Sequence, residues 1–130
     1  MENLTSLQAA ELSGHLLTLN ESIEDFLFDN IKVFSEEQKE KLCYSLDLIS
    51  GYAQDILAFS TILVMDDVQA SLTEIKTITE QIKTTLKTLR NIQKGVDIAT
   101  SVVKLGAAIT DKNPQKIIDA ISGLVKIGNT

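Results

Sequence analysis

Cysteine, histidine and proline each occur once in this 130-residue chain, and tryptophan is absent. The lone Cys43 excludes an internal disulfide and any multi-cysteine metal site. The lone His15 has no second imidazole to complete a metal site, so neither a metal nor a cofactor is expected. One proline and six glycines are too few breakers for the many tight turns of an all-β fold. No apolar run approaches the roughly 20 residues of a membrane-spanning helix. The longest uncharged stretch near the middle runs from Ile56 to Met65, between Asp55 and Asp66. The opening residues Met1 to Thr5 lack the basic and apolar regions of a signal peptide. A cytoplasmic location is therefore expected, and leaderless export would leave no mark.

Catalytic signatures are missing too. The chain has no glycine-rich phosphate loop, no HExxH, no serine-centred elbow and no Glu-x-x-His. The acidic pairs Glu24-Asp25, Glu36-Glu37 and Asp66-Asp67 read as helix starts and solvated faces. Carboxylate catalysis needs two acids from separate elements in a dry cleft. No enzymatic activity and no small-molecule substrate are expected.

What is present is an uneven distribution of charge over helical rhythm. Residues 1–75 hold 14 acids and 3 bases, a net of −11, and residues 76–130 hold 4 acids and 9 bases, a net of +5, which sum to the overall −6. Apolar residues make up 44% of the chain, enough for a core of useful size in one domain.

The helical pattern comes in four spans, about 3–33, 36–65, 67–110 and 114–127. In the first, Leu12, Leu16, Leu19, Ile23 and Phe26 step by 4, 3, 4 and 3, the rhythm of a packed seam. Gly14 and Asn20-Glu21-Ser22 weaken this span, which predicts a break near Asn20. Ser35 to Gln38 forms a capping box that starts the second span, whose seam is Leu42, Leu46, Ile49, Ala53, Ile56, Ser60 and Leu63. Asp66, with Gln69 as its reciprocal partner, is the predicted cap of the third. Its seam from Val68 to Val96 covers 28 residues in eight steps, a mean of 3.5. Asn113 and Pro114 suit the N-cap and first position of the last helix, and Gly128 suits its end.

Length picks out a hinge. A helix of about 30 residues spans roughly 45 Å, whereas a continuous third helix to Thr110 would reach roughly 66 Å. Gly95 is the predicted bend. Beyond it, Val96, Ile98, Val102, Leu105 and Ile109 are apolar nearly all round, and such a helix must be buried on most sides. The expected fold is an all-α antiparallel bundle of about four helices with a short apolar C-terminal hairpin.

The hairpin, residues 95–127, is the expected interaction element. Val102, Leu105, Ile109, Ile117, Ile121 and Leu124 are expected to be buried against a second copy or a protein partner. Lys76, Lys83, Lys87, Arg90 and Lys94, at gaps of 7, 4, 3 and 4, form a basic stripe expected to set orientation. They would do so by facing acids such as Glu24, Asp25, Asp29, Glu36 or Glu40 on neighbouring helices. Nucleic acid is not an expected partner, because the chain is acidic overall and no aromatics interleave the stripe. His15, beside Leu12, Leu16 and Leu19, and Cys43, beside Leu42, read as packing residues.

The leading expectation is a non-enzymatic helical interaction or oligomerisation module, a homodimer or small oligomer built through the hairpin. The first alternative is a membrane-active bundle whose hairpin swings out at Gly95 into lipid. In outline the chain is similar to α-helical membrane-active bundles and to helical signalling domains of cell-death proteins, a likeness of shape that no motif carries. The second alternative is a small acidic inhibitor of the immunity or antitoxin type, masking a basic partner.

Overall fold

Thr5, Ser35, Asp67, Asn91 and Asn113 each accept a hydrogen bond from the backbone N–H three residues on, at 3.0–3.1 Å. A helix follows each of them, because a side-chain oxygen at this position satisfies one of the four free N–H groups of the first turn. In the computed structural model, which describes residues 2–128, these helices are α1 (Ser6–Asp29), α2 (Glu36–Ala58), α3 (Val68–Thr88), α4 (Ile92–Thr110) and α5 (Pro114–Gly128). Thr5–Gln8 and Ser35–Gln38 are reciprocal boxes, with the glutamine side chain returning to the cap N–H. The fold is an all-α bundle, as expected from the helical rhythm.

Four boundaries differ from the sequence reading. The first helix does not break at Asn20, because the Asn20 amide Nδ2 donates to the Leu46 carbonyl of α2 at 2.8 Å and so ties the two helices together. The second helix stops at Ala58 rather than Met65. After a 3-10 turn at Ser60–Ile62, β2 (Val64–Met65) pairs antiparallel with β1 (Glu2–Asn3). Leu63 keeps the helical phase and is buried, yet it sits in an extended connection whose carbonyl accepts from the Leu4 N–H at 3.0 Å. Asp67, not Asp66, caps α3. The expected C-terminal role of Gly128 borders residues outside the described range.

The fourth difference concerns the hinge. The span 67–110 is two helices, and the break falls at Leu89-Arg90-Asn91 rather than at Gly95. Leu89 is extended, with φ −67° and ψ 131°, and the Asn91 side chain caps the new helix. Asparagine competes for backbone N–H groups in this way, which makes it poor inside a helix and good at its start. Gly95 lies in the first turn of α4, buried against Phe26, where a methyl group would overlap the phenyl ring. It is a close-approach residue, and Asn91 is the turning point.

Helix directions follow from paired contacts. Ser13 Oγ donates to the Ala53 carbonyl at 2.9 Å and Asn20 to that of Leu46, so α1 and α2 are antiparallel. Gln38 bonds to Gln93 and Tyr52 meets Gly106, so α4 runs parallel to α2. A three-residue turn then reverses the chain into α5. Near the start of α3 the Val68 N–H donates to Glu2 Oε1 at 2.9 Å, and near its end Lys83 and Lys87 face Asp25 and Asp29 of α1. Hence α1, α3 and α5 run one way, and α2 and α4 the other. α1 packs on α2, α3 and α4. α4 packs on α2, α5 and α1, and α5 closes onto α3.

The turn from α4 to α5 holds Lys112 at φ 57°, a left-handed conformation that costs a residue with a Cβ about 1–2 kcal/mol. Glycine takes it without strain but loses more entropy on folding. Lys112→Gly is expected to raise stability by about 0.5–1 kcal/mol, read as a higher urea midpoint with an unchanged slope. A lower midpoint would contradict this account of the turn.

Candidate interaction surfaces

The six hairpin residues expected at an interface are in the protein's own core. Val102, Leu105, Ile109, Ile117, Ile121 and Leu124 are each at most 4% exposed. The apolar surround of α4 is buried as its composition demands, and α1, α2 and α5 supply the cover within one chain. The corrected position of the turn explains how. With the chain reversing at Asn91, α4 folds back beside α2 instead of running past the bundle end. The six side chains hold the hairpin down and leave nothing of themselves for a partner.

The outward side of the same hairpin is different. Between α4 and α5 lies an open groove of about 590 Å³. Its floor is made of small side chains, Ala107, Ala108 and Ala120, with Gly123, and its rims carry Lys104, Lys116, Asp111 and Asp119. Nothing lies within 4 Å of where a Gly123 side chain would begin. Small residues on two antiparallel helices leave a trough because each lacks the atoms that would fill the space between ridges. The trough follows helical spacing, with Ser101, Lys104, Ala108 and Asp111 on α4 and Lys116, Ala120, Gly123 and Ile127 on α5, a face that the large residues of the hairpin do not mark.

The basic stripe is divided by the turn. Lys76, Lys83 and Lys87 are exposed on α3, Arg90 is exposed in the connection, and Lys94 is half-buried on α4. Lys83 and Lys87 share a polar groove of about 370 Å³ with Asp25, Asp29 and Ser22. They face the acids named for them without closing into ion pairs. Glu36 instead pairs with Lys39 in its own helix at 3.1 Å, and Asp111 pairs with Lys116 at 3.9 Å. Exposed charges at such separations contribute about 0–1 kcal/mol, so the stripe adds little to stability.

His15 is half-buried on α1, and its Nε2 stands 3.6 Å from Glu11 Oε1 with no hydrogen-bond partner. That distance is too long for a hydrogen bond. Cys43 departs from expectation. It is exposed on α2 and not packed, because the buried positions around it are Leu42 and Ser45. No cluster of three or more metal-ligating side chains occurs among the described residues, and none of the described helices is long and apolar enough to cross a membrane. Comparison of the chain with protein-family models, with curated proteins and with solved structures gives no match.

Proposed function

We propose that this chain is a non-enzymatic helical interaction module that self-associates through the outer groove of its α4–α5 hairpin. The observation that carries the reading is the groove itself, an apolar trough rimmed by two lysines and two aspartates. A twofold contact places the same patch on both subunits, so it favours a surface that carries both signs of charge and can complement itself. The small floor residues admit the close approach of a second helix pair, and the buried seam beneath keeps the groove rigid, so little ordering cost opposes association.

Gly123 gives a clean test. Gly123→Arg places a long charged side chain in the trough, and its Cβ has open space. Light scattering after size-exclusion chromatography is expected to give a dimer for the natural sequence and a monomer for Gly123→Arg, with little change in melting temperature. A monomeric natural protein, or a dimer that survives the substitution, would contradict the reading.

A lipid-seeking hairpin is the less favoured alternative. Swinging it out would expose six buried residues, at about 1.5–3 kcal/mol each. That sum rivals the whole stability of a domain, about 5–15 kcal/mol. Flotation with anionic vesicles distinguishes the two, since the closed module stays with the soluble fraction.

A further inference from the structure

The trough between α4 and α5 borders a polar group that the fold leaves unused. Ser45, Ser71 and Ser101 are buried serines whose hydroxyls make no hydrogen bond among the described residues. Ser101, 8% exposed, is the one that lines the trough. Its neighbour Thr100 turns its hydroxyl back to the Val96 carbonyl at 3.1 Å, as a helical hydroxyl without another partner commonly does. A buried polar group with no partner inside the protein is suited to one supplied from outside.

The charge beside it is positive. Lys104 lies one turn from Ser101 on α4, is exposed, and has no ion pair among the described residues. The acids of the trough are already engaged. Asp111 pairs with Lys116 at 3.9 Å, and Asp119 accepts from Gln115 Nε2 at 3.0 Å. Ser101 and Lys104 also line a hollow of about 310 Å³ that continues the trough, and its one acid, Asp97, accepts from Gln93 Nε2 at 3.0 Å. The Asp111–Lys116 contact sets the antiparallel register and brings Lys104 near the level of Gly123. From there to Asp111 the floor of Ala107, Ala108 and Ala120 runs roughly 10 Å along the helix. The trough's volume of about 590 Å³ falls within the roughly 300–1,000 Å³ of small-molecule sites.

We infer that this trough binds an amphiphilic carboxylate, a free fatty acid of medium chain length. The carboxylate accepts from Ser101 Oγ and Lys104 Nζ, and the chain covers the alanine floor. Such binding does not require self-association. The bound chain occupies the surface assigned above to a second copy, and only its expected effect, release of the dimer, rests on that reading.

The probe is decanoate below its micellar concentration, with decyltrimethylammonium as the cationic counterpart of equal chain length. Each is titrated into the natural protein and followed by backbone amide shifts. Decanoate is expected to give saturable shifts at Ser101, Lys104, Ala108 and Gly123, and the ammonium none. Lys104→Gln is expected to weaken decanoate about tenfold. Lys126→Gln removes the same charge from an exposed position outside the trough and should leave the affinity unchanged. Gly123→Leu fills the trough, where a Cβ has open space, and should abolish binding. Undiminished affinity in Lys104→Gln, equal binding of the ammonium, or decanoate shifts confined to residues outside the trough would overturn the inference. Light scattering of the same samples separates the two readings. A monomer that takes decanoate in the trough supports this inference and contradicts self-association, whereas a dimer that takes none does the reverse.

Discussion

Ile121→Asp is expected to destabilise the whole bundle by about 3–5 kcal/mol, the cost of burying a carboxylate with no partner. Ile121 is 4% exposed and belongs to the same core cluster as Leu16, Ile75 and Leu105. The aspartate must either drag α5 off α3 and α4 or take up a proton. For a chain of this length the loss corresponds to a fall in melting temperature of roughly 10–20 °C. Urea titration followed by circular dichroism measures it directly. Ile121→Val, which keeps the apolar character, should cost about 0.5–1.5 kcal/mol. The sequence reading placed Ile121 at an interface between copies, and on that view Ile121→Asp would lower the molecular mass and spare the stability. An unchanged urea midpoint for Ile121→Asp would therefore return the residue to an interface.

Two glycines in helices should respond to alanine with opposite signs. Within a helix, Gly→Ala gains about 0.8–1 kcal/mol from the lower entropy of the unfolded chain. Gly14 of α1 is exposed with nothing within 4 Å of a Cβ, and Gly14→Ala should show that full gain. Gly106 of α4 is buried against Tyr52, where a Cβ would lie 2.6 Å from Cδ2 and 3.0 Å from Cβ of the tyrosine. The obstruction includes the base of the Tyr52 side chain, which moves only if α2 moves. Forcing a methyl group into a packed contact costs about 1–3 kcal/mol, enough to cancel the propensity gain and reverse its sign. Gly106→Ala should therefore lower the urea midpoint and Gly14→Ala raise it. A gain at both positions would mean that α2 and α4 are not in close contact at Tyr52.

Much of the architecture was legible in short motifs. Ser35-Glu36-Glu37-Gln38 forms the capping box it spells, and Asn113-Pro114 starts α5. These signals are local, since a side chain bonds to an N–H three residues away, although the equally local Asp66–Gln69 pair gave way to Asp67 as the cap of α3. The seam of α1 was equally readable, because Leu12, Leu16, Leu19, Ile23 and Phe26 are all buried. What periodicity could not show was where a helix stops while its phase continues. Ser60 and Leu63 keep the rhythm of α2, yet the helix ends at Ala58 and the chain passes through a 3-10 turn into Val64–Met65, which finds its backbone partners in Glu2 and Asn3 at the far end of the sequence. Likewise Val68 to Val96 holds a period of 3.5 across a break made by one asparagine side chain. Glycine in this chain marked close packing more than bending, as Gly95 and Gly106 show.

The candidate surfaces were less legible than the fold. Burial of the hairpin followed from its apolar surround, but the identity of what buries it depended on the turn at Asn91. The trough between α4 and α5 is defined by side chains that are missing volume, and periodic analysis weights large residues.

Native-state hydrogen exchange tests most directly whether α4 is an internal helix of a closed bundle. The amides of α4 from Val102 to Ile109 should be among the slowest in the protein, matching the centre of α1 and opening only with global unfolding. If those amides exchange through a separate, lower-energy opening while α1 and α2 stay protected, the hairpin is a detachable element and the closed-bundle account is wrong.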